Sequence, residues 1–245
     1  MTIEKTELKG KRILVTGGTT GIGRATVALL AAEGARILTF GRHAAELNDA
    51  LENARRLGGD VQGLTADVAT PEGVAEVFAA VDEKLGGLDI LVNNAGVAIK
   101  PVQDVSDADW RYGVETDFVG YLACARAAVE RMKTVGGHIV FVGSVSAEFL
   151  SPGTSTYAAA KAGIHAYAET LRKEVARQNI KVTLIEPGMV SADLQGLPVE
   201  EQREKVAEHK MLLAEELADT IVFSLTRSAR TDVVSLRVEP RLQGA

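Results

Sequence analysis

The sequence has one cysteine and no long apolar run, and each of these two features argues against a class of protein. Cys124 cannot form a disulfide within the chain, and its apolar neighbours predict a buried structural thiol in a reducing, cytoplasmic compartment. No segment approaches the ~18 consecutive apolar residues of a membrane helix. The first residues also lack the apolar core of a signal peptide. We therefore expect neither a membrane protein nor a disulfide-stabilised secreted one.

Basic residues are not in excess either. The 245 residues include 27 Lys+Arg and 33 Asp+Glu, which gives a formal net charge of −6. A partner such as nucleic acid or an anionic membrane surface requires a basic patch, so we expect neither. The histidines are scattered and show no spacing typical of a metal site, so no metal is predicted: His43, His138, His165 and His209.

Short β-rich runs alternate with segments of helical periodicity along the chain. The runs are rich in Val, Ile and Leu without polar alternation, which indicates a sheet covered on both faces. Strand–helix repetition with short connections predicts parallel, right-handed βαβ units. Residues 1–245 are thus predicted to form one doubly wound α/β domain with a parallel sheet of about seven strands flanked by helices. The predicted strands are Arg12–Thr16, Arg36–Phe40, Val61–Ala66, Ile90–Asn93, Ile139–Val142, Lys181–Ile185 and Val233–Val238.

Helix boundaries are marked by capping residues. Pro71 suits a first helical position, and the capping-box pattern at Ser106 predicts a long helix towards Val135. The charged segment Ser191–Lys210 interrupts the alternation just after the C-terminal end of a strand. Ligands bind at that edge of open α/β sheets, so we interpret this segment as a candidate lid, with Glu200–Lys205 as the solvated face of a lid helix.

A glycine-rich turn, Thr16–Gly23, separates the first strand from the first helix. Glycine lets a backbone turn tightly and approach a diphosphate, and the following helix N-terminus offers unpaired N–H groups. The turn therefore predicts a nucleotide site, with candidate residues Gly17, Thr19, Thr20, Gly21, Ile22 and Gly23.

Arg42 follows the second strand, where NAD-binding enzymes usually place an acidic residue to hold the ribose hydroxyls. Gly41 stands in that place, and an arginine beside it can pair with a 2′-phosphate. An ordinary solvated arginine is the alternative. NADP(H) is therefore the predicted cofactor.

Tyr157 and Lys161 are four residues apart at the start of a predicted helix, so they share one face, and Ser144 ends the preceding strand. A free tyrosine has a pKa of about 10, and a neighbouring ammonium favours its phenolate form. Tyr157 is thus a candidate general acid or base on a substrate oxygen, and Ser144 is a candidate to form a hydrogen bond with the same oxygen.

Together these motifs resemble the short-chain dehydrogenase/reductase family over nearly the whole chain. The ordered motifs are Thr16–Gly23, Asp67-Val68, Asn93–Gly96, Ser144 with Tyr157 and Lys161, and Pro187-Gly188. The resemblance implies a Rossmann-type sheet, bound NAD(H) or NADP(H), and hydride transfer between an alcohol and a carbonyl. It also implies a homotetramer, with a dimer as the alternative, whose interface uses the long helices from about Ser106 and from Tyr157.

The resemblance further implies a role for each cofactor residue. Asp67 and Val68 would flank the adenine, and Lys161 would hydrogen-bond the nicotinamide ribose. The ribose and diphosphate channel would be lined by Asn94, Ala95 and Gly96, and the nicotinamide would contact Pro187, Gly188 and Val190.

Two positions depart from the family pattern. Asp117 stands where the family commonly has an asparagine that helps to hold a water near the lysine. If its carboxylate faces Lys161, it weakens the field of the lysine on Tyr157, so we hypothesise that Asp117 raises the pH at which activity peaks; the alternative is that only the main chain matters there. Ala192, between Ser191 and Asp193, stands where a threonine often binds the carboxamide, which puts that contact in doubt.

The substrate class is less well defined. The C-terminal segment is similar to NADP-dependent 3-hydroxy acid dehydrogenases, and Lys100 is a candidate cation for a carboxylate, opposed by Glu148. Apolar residues favour an uncharged ketone instead: Phe149, Leu150, Met189 and Leu194. Three functions stay open, namely an NADPH-dependent carbonyl reductase or alcohol dehydrogenase, a 3-oxoacyl-thioester reductase, and a cofactor-binding sensor or scaffold without chemistry.

Overall fold

A computed structural model describes residues 4–192 and 195–243. Seven strands lie within them, namely β1 (Arg12–Thr16), β2 (Arg36–Gly41), β3 (Asp60–Thr65), β4 (Ile90–Asn93), β5 (Gly137–Val142), β6 (Ile180–Pro187) and β7 (Ser235–Val238). They form one parallel sheet with the order β3-β2-β1-β4-β5-β6-β7. This confirms the predicted Rossmann-type α/β fold.

Helices cover both faces of the sheet because successive strand residues point to opposite sides. The helices are α1 (Gly21–Ala32), α2 (Ala44–Arg56), α3 (Pro71–Ala80), α4 (Asp107–Val114), α5 (Gly120–Met132), α6 (Ser155–Val175), α7 (Val199–Ala207) and α8 (Ala214–Leu225). Leu14 of β1 packs into the cluster formed with α3, α5 and α6, whereas Ile13 and Val15 pack into the cluster formed with α1, α2 and α8. Within the described part of the chain, no helix is both long and apolar enough to cross a bilayer.

Local signals fix several helix starts. Pro71 is the first residue of α3, and the Thr70 hydroxyl accepts a hydrogen bond from the Gly73 N–H at 3.0 Å. Ser106 caps α4 by accepting from the Asp109 N–H at 3.1 Å. Both predicted helix starts are confirmed. Cys124 is fully buried within α5, and burial raises the pKa of its thiol to about 12, as expected of a structural thiol.

The single long helix predicted from Ser106 towards Val135 differs from the structure in two respects. A π-helical turn, Glu115–Val119, separates α4 from α5, and α5 ends at Met132. Gly120 lies so close to Val68 that a Cβ added there would be 2.9 Å from the Val68 carbonyl oxygen. Such wide turns are frequent at functional sites, and this one contains Asp117.

Strand β7 begins at Ser235 rather than at Val233. Val233 and Val234 already accept hydrogen bonds from β6, one from the Thr183 hydroxyl at 2.6 Å and one from the Leu184 N–H at 3.0 Å. The hydroxyl of Thr183 thus takes the place of a backbone donor in the first hydrogen bond between β6 and the segment that leads into β7. In the candidate lid, the predicted helix is present as α7, and Val190 forms an isolated parallel bridge with Leu212 beyond it.

Candidate active site

A cavity of about 480 Å³ lies at the C-terminal edge of the sheet. The strand order reverses between β1 and β4, which is the position where doubly wound sheets bind their ligands. The cavity is lined by every predicted site residue except Gly23: Gly17, Thr19, Thr20, Gly21, Ile22, Arg42, Asp67, Val68, Asn94, Ala95, Gly96, Ser144, Tyr157, Lys161, Pro187, Gly188 and Val190.

The glycine-rich turn is shaped by two close approaches. Gly17 has a φ of 65°, and a Cβ added there would lie 2.8 Å from Cα of Ala95. Gly23 lies beneath the turn, where an added Cβ would collide with the carbonyl oxygen of Gly17. Gly23 therefore allows α1 to pack against the turn and does not itself line the cavity.

The N-terminus of α1 suits an anionic ligand. The helix begins after Thr20, whose side chain makes no capping hydrogen bond, and Thr20, Gly21 and Ile22 all line the cavity. The first N–H groups of a helix have no partner within it and carry a partial positive charge. These groups therefore fit a cofactor diphosphate.

Thr16, a residue that the sequence did not single out, joins the turn to the segment after β4. Its hydroxyl accepts hydrogen bonds from the N–H groups of Asn94 at 2.7 Å and Ala95 at 2.9 Å. The Asn94 amide in turn donates to the carbonyl oxygens of Thr16 at 3.0 Å and Gly17 at 3.2 Å. Asn94 therefore braces the glycine-rich turn, in addition to lining the cavity.

The end of β2 has no room for an acidic side chain at Gly41, because a Cβ added there would collide with the side chain of Thr19. The next residue, Arg42, is exposed and lines the cavity. Glu46, in the first turn of α2, lines the same cavity and was not noted from the sequence. Its carboxylate adds a negative charge in the region where a 2′-phosphate would bind.

The three residues predicted to be catalytic, Ser144, Tyr157 and Lys161, line the other end of the cavity. Ser144 follows β5 and is 8% exposed, and its hydroxyl accepts from the Ser146 N–H at 3.1 Å. Tyr157 is in the first turn of α6, and Lys161 is one turn later and 4% exposed. The Lys161 ammonium lies 5.6 Å from the centre of the Tyr157 ring and 3.4 Å from the carbonyl oxygen of Val142.

The surroundings of Lys161 keep it charged. Burial alone would lower its pKa, but Tyr121, Tyr157 and Asp117 outweigh that effect and raise the pKa of Lys161 above its ordinary value. Tyr157 therefore has a buried positive charge beside its ring.

Asp117 is completely buried on the π-helical turn. Its Oδ1 accepts from the Val97 N–H at 2.7 Å, and its Oδ2 has no hydrogen-bond partner among the residues that the structure describes. Burial raises the pKa of Asp117 more than the charge of Lys161 and the Val97 N–H lower it. Asp117 and Lys161 are nevertheless coupled electrostatically, because the charge of each shifts the pKa of the other towards its charged form.

Ala192 lines the cavity and faces Gly21, where an added Cβ would be 3.0 Å from the Ala192 Cβ. Gln195, which was not among the residues predicted from the sequence, also lines the cavity and offers a side-chain amide. Asp193 and Leu194 lie outside the described residues.

A second group of polar residues lies outside the cavity lining. Ligand atoms of Glu148, His165 and Glu186 all lie within 4.8 Å of one another, so His165 belongs to a cluster that the sequence spacing did not reveal. His165 Nδ1 is 2.9 Å from a Glu186 oxygen, and the Arg237 guanidinium is 3.8 Å from Glu148. These carboxylates therefore already have partners within the protein. Lys100 is exposed and does not line the cavity.

Comparison with known proteins agrees with this geometry. The profile of the short chain dehydrogenase family matches residues 11–203. An uncharacterized oxidoreductase of Staphylococcus epidermidis is 33% identical over 236 residues, 96% of this chain and 99% of its own. A 3-oxoacyl-[acyl-carrier-protein] reductase of Chlamydia pneumoniae is 35% identical over 189 residues, 76% of each chain.

Among solved structures, a short chain dehydrogenase from Burkholderia cenocepacia in complex with NADP superposes with a TM-score of 0.85. It is 29% identical, and the match covers 96% of this chain and 98% of that one. The sheet order, the cavity at the switch point and the matched profile lead to one conclusion: this chain belongs to the short-chain dehydrogenase/reductase family of oxidoreductases that use nicotinamide cofactors.

Proposed function

We propose that the protein is an NADP(H)-dependent carbonyl reductase or alcohol dehydrogenase acting on a small ketone or 3-hydroxy acid substrate. The observation that carries this proposal is the shared cavity. Ser144, Tyr157 and Lys161 line one end, while the glycine-rich turn and Arg42 line the other. A single extended dinucleotide fits such a cavity with its diphosphate at α1 and its nicotinamide near Tyr157.

The chemistry is divided between the cofactor and the chain. The bound nicotinamide would supply or accept the hydride. In the reducing direction, the Tyr157 phenol donates a proton to the substrate oxygen, and the Ser144 hydroxyl donates a hydrogen bond to the same oxygen. Lys161 stabilises the resulting phenolate because its ammonium is buried close to the Tyr157 ring.

Arg42 supports NADP(H) over NAD(H). It follows Gly41, a position where no acidic side chain fits, and its guanidinium can bind a 2′-phosphate through two hydrogen bonds. Roles for the other cofactor residues are proposed as the family resemblance implies them, with Asp67 and Val68 beside the adenine and with Pro187, Gly188 and Val190 beside the nicotinamide.

The first test is a fluorescence titration with NADPH and NADH of the native chain, of Arg42→Ala, and of Arg56→Ala as a matched control. Arg56 pairs with Glu52 on the exposed side of α2, away from the cavity lining. We expect NADPH to bind the native chain at least about tenfold more tightly than NADH, because a charge-assisted pair contributes roughly 1.5–3 kcal/mol. The preference should disappear in Arg42→Ala and persist in Arg56→Ala. Equal binding of both cofactors to the native chain would refute the proposal.

A 3-oxoacyl-thioester reductase is the second candidate, and the Chlamydia pneumoniae relative favours it. The acidic net charge counts against it, since acyl carrier proteins are acidic and dock on basic surfaces. A screen of NADPH consumption with simple ketones, 3-oxo acids and 3-oxoacyl thioesters separates these substrate classes. Binding of NADPH without consumption of any substrate would instead favour a sensor or scaffold.

Two further expectations belong to this proposal. Residues 191–210 would act as a substrate lid, since α7 follows the cavity-lining residue Ala192. A cytoplasmic homotetramer would form through the long helices from Ser106 and Tyr157, and Val119, at the junction of α4 and α5, is 42% exposed and available for such contact. Light scattering of the purified protein measures the assembly directly.

A further inference from the structure

The side chain of Tyr112 connects two residues that line the cavity, Arg42 and Asp67. Its hydroxyl lies 2.8 Å from Arg42 Nη1 and 2.8 Å from Asp67 Oδ2. Arg42 follows β2, Asp67 follows β3, and Tyr112 belongs to α4. Three separate elements therefore meet at one phenol.

The direction of both hydrogen bonds is fixed by chemistry. A guanidinium can only donate, and an ionised carboxylate can only accept. The Tyr112 hydroxyl therefore accepts from Arg42 and donates its single proton to Asp67. Burial, followed by the bond to Asp67, raises the pKa of Tyr112, so the phenol keeps that proton at neutral pH.

This arrangement orients Arg42 without neutralising it. The guanidinium carbon lies 5.6 Å from the centre of the Tyr112 ring, and only one of its five N–H groups is used by the phenol oxygen. Within residues 4–192 and 195–243, no carboxylate forms a salt bridge with Arg42, whereas Arg24 of α1 is paired with Asp49 at 2.6 Å. The Arg42 guanidinium is thus available to pair with a ligand anion.

The position of Tyr112 is itself fixed by α4. Ser106 caps the start of that helix, and the next residue, Gly113, packs against Ile99, where an added Cβ would be 2.5 Å from the Ile99 side chain. On the other side, Asp67 is held by the Ala69 N–H, which donates to its Oδ1 at 3.0 Å. The Tyr112 hydroxyl is therefore a fixed acceptor for a hydrogen bond from the long, exposed side chain of Arg42.

We infer that Tyr112 is a positioning residue for cofactor specificity, holding Arg42 in the orientation that receives the 2′-phosphate of NADP(H). This inference rests on the proposed use of NADP(H). Ordering a long arginine side chain before binding lowers the entropy lost on binding, so the gain applies to ligands that carry the phosphate. Tyr112 should thus discriminate between two cofactors that differ only by that group.

The test is a double-mutant cycle on the full chain with Tyr112→Phe, Arg42→Ala and the double variant, titrated with NADPH and NADH. Tyr167→Phe is the matched control, because Tyr167 packs edge-on to Phe141 and does not line the cavity. We expect Tyr112→Phe to weaken NADPH binding about 3- to 10-fold, the size of one lost hydrogen bond. NADH affinity should stay within about twofold, and in the Arg42→Ala background the same change should have no effect.

The outcomes separate this inference from the proposed function. A native chain without NADPH preference overturns the proposed cofactor and this inference with it. A native preference that Tyr112→Phe retains in full overturns the inference alone. Equal loss for NADH and NADPH, or the same loss in the Arg42→Ala background, also overturns it, because Tyr112 would then act through Asp67 or through packing. In steady-state assays the KM for NADPH should rise while kcat stays unchanged.

Discussion

The ammonium nitrogen of Lys161 lies 3.5 Å from the hydroxyl oxygen of Tyr121 and 4.8 Å from the centre of its ring. Tyr121 is 1% exposed and stacks on Phe141, and its hydroxyl donates to the carbonyl oxygen of Val142 at 3.1 Å. Burial raises the pKa of Tyr121 to about 12, so it remains a neutral phenol beside the cation. Tyr121, a buried aromatic residue of α5, therefore contacts Lys161 and helps to fix the position of its ammonium group near Tyr157.

Replacing Tyr121 by phenylalanine should lower activity without preventing folding. The ring and its packing on Phe141 stay, but Lys161 loses one polar neighbour. We expect kcat to fall about 3- to 10-fold, consistent with one net hydrogen bond. The kcat of Tyr121→Phe, measured beside Tyr167→Phe, checks this prediction. An unchanged kcat would show that Val142 and the cofactor alone hold Lys161.

Tyr157→Phe should abolish most activity while preserving cofactor binding. The substitution removes the proton that the substrate oxygen requires, and general acid–base catalysis contributes typically about 10²- to 10⁴-fold. The ring remains, so the cavity keeps its shape. NADPH titration and single-turnover consumption of NADPH measure the two properties separately. Full activity of this variant would contradict the role proposed for Tyr157.

The fold was predictable because its signals are local and repeated. β1 and β4 begin and end at the predicted residues, since buried parallel strands are apolar throughout and their ends are marked by glycine and asparagine. The residues that line the cavity could be named because a glycine-rich turn and a Tyr-x-x-x-Lys spacing are short-range patterns.

The parts that the sequence did not reveal depend on contacts between distant residues. In the sequence, Tyr121 looks like one more apolar position of a helix. In the folded protein its hydroxyl contacts the ammonium of Lys161, which lies 40 residues later in the chain. Tyr112 meets Arg42 and Asp67 only after the sheet has formed. Gly120, which follows the π-helical turn Glu115–Val119, likewise approaches Val68 closely, and no helical periodicity encodes that contact.

Glu46→Gln should strengthen NADPH binding and leave NADH binding nearly unchanged. Glu46 and Arg42 line the same end of the cavity, so the carboxylate repels a 2′-phosphate. Exposed charge pairs contribute roughly 0.2–1 kcal/mol, which predicts a gain of about 1.5- to 5-fold in affinity. Glu52→Gln, on the same helix but outside the cavity lining, is the control for a general change of charge. A weaker affinity for NADPH in Glu46→Gln would show that Glu46 helps to bind the ribose instead.

Asp117→Asn should shift the pH–rate profile to lower pH. The buried carboxylate faces the Lys161, Tyr121 and Tyr157 group and partly cancels the field of Lys161 on Tyr157. Without that negative charge, the phenolate of Tyr157 forms more readily, so the basic form is populated at lower pH. The measurement is kcat/KM for alcohol oxidation against pH in the native chain and the variant. Superimposable profiles would refute the hypothesis drawn from the sequence.

The same substitution should also change how stability depends on pH. Because the pKa of Asp117 in the folded protein is raised above its ordinary 3.8, the folded state binds more protons than the unfolded state as this group titrates. The free energy of unfolding contributed by Asp117 is therefore greatest below pH 3.8 and is lost as the pH rises through the raised value. Asparagine imitates the protonated carboxyl at every pH, so the variant escapes this loss.

We expect the difference in free energy of unfolding, Asp117→Asn minus native, to grow by about 1.4 kcal/mol for each pH unit between 3.8 and the raised pKa of Asp117, and then to level off. Urea denaturation at a series of pH values above 3.8 measures it. Asp104→Asn, which replaces an exposed carboxyl, should show a constant difference over the same range. A difference that shrinks with rising pH would mean that the Asp117 carboxylate stabilises the fold through Lys161 by more than its burial costs.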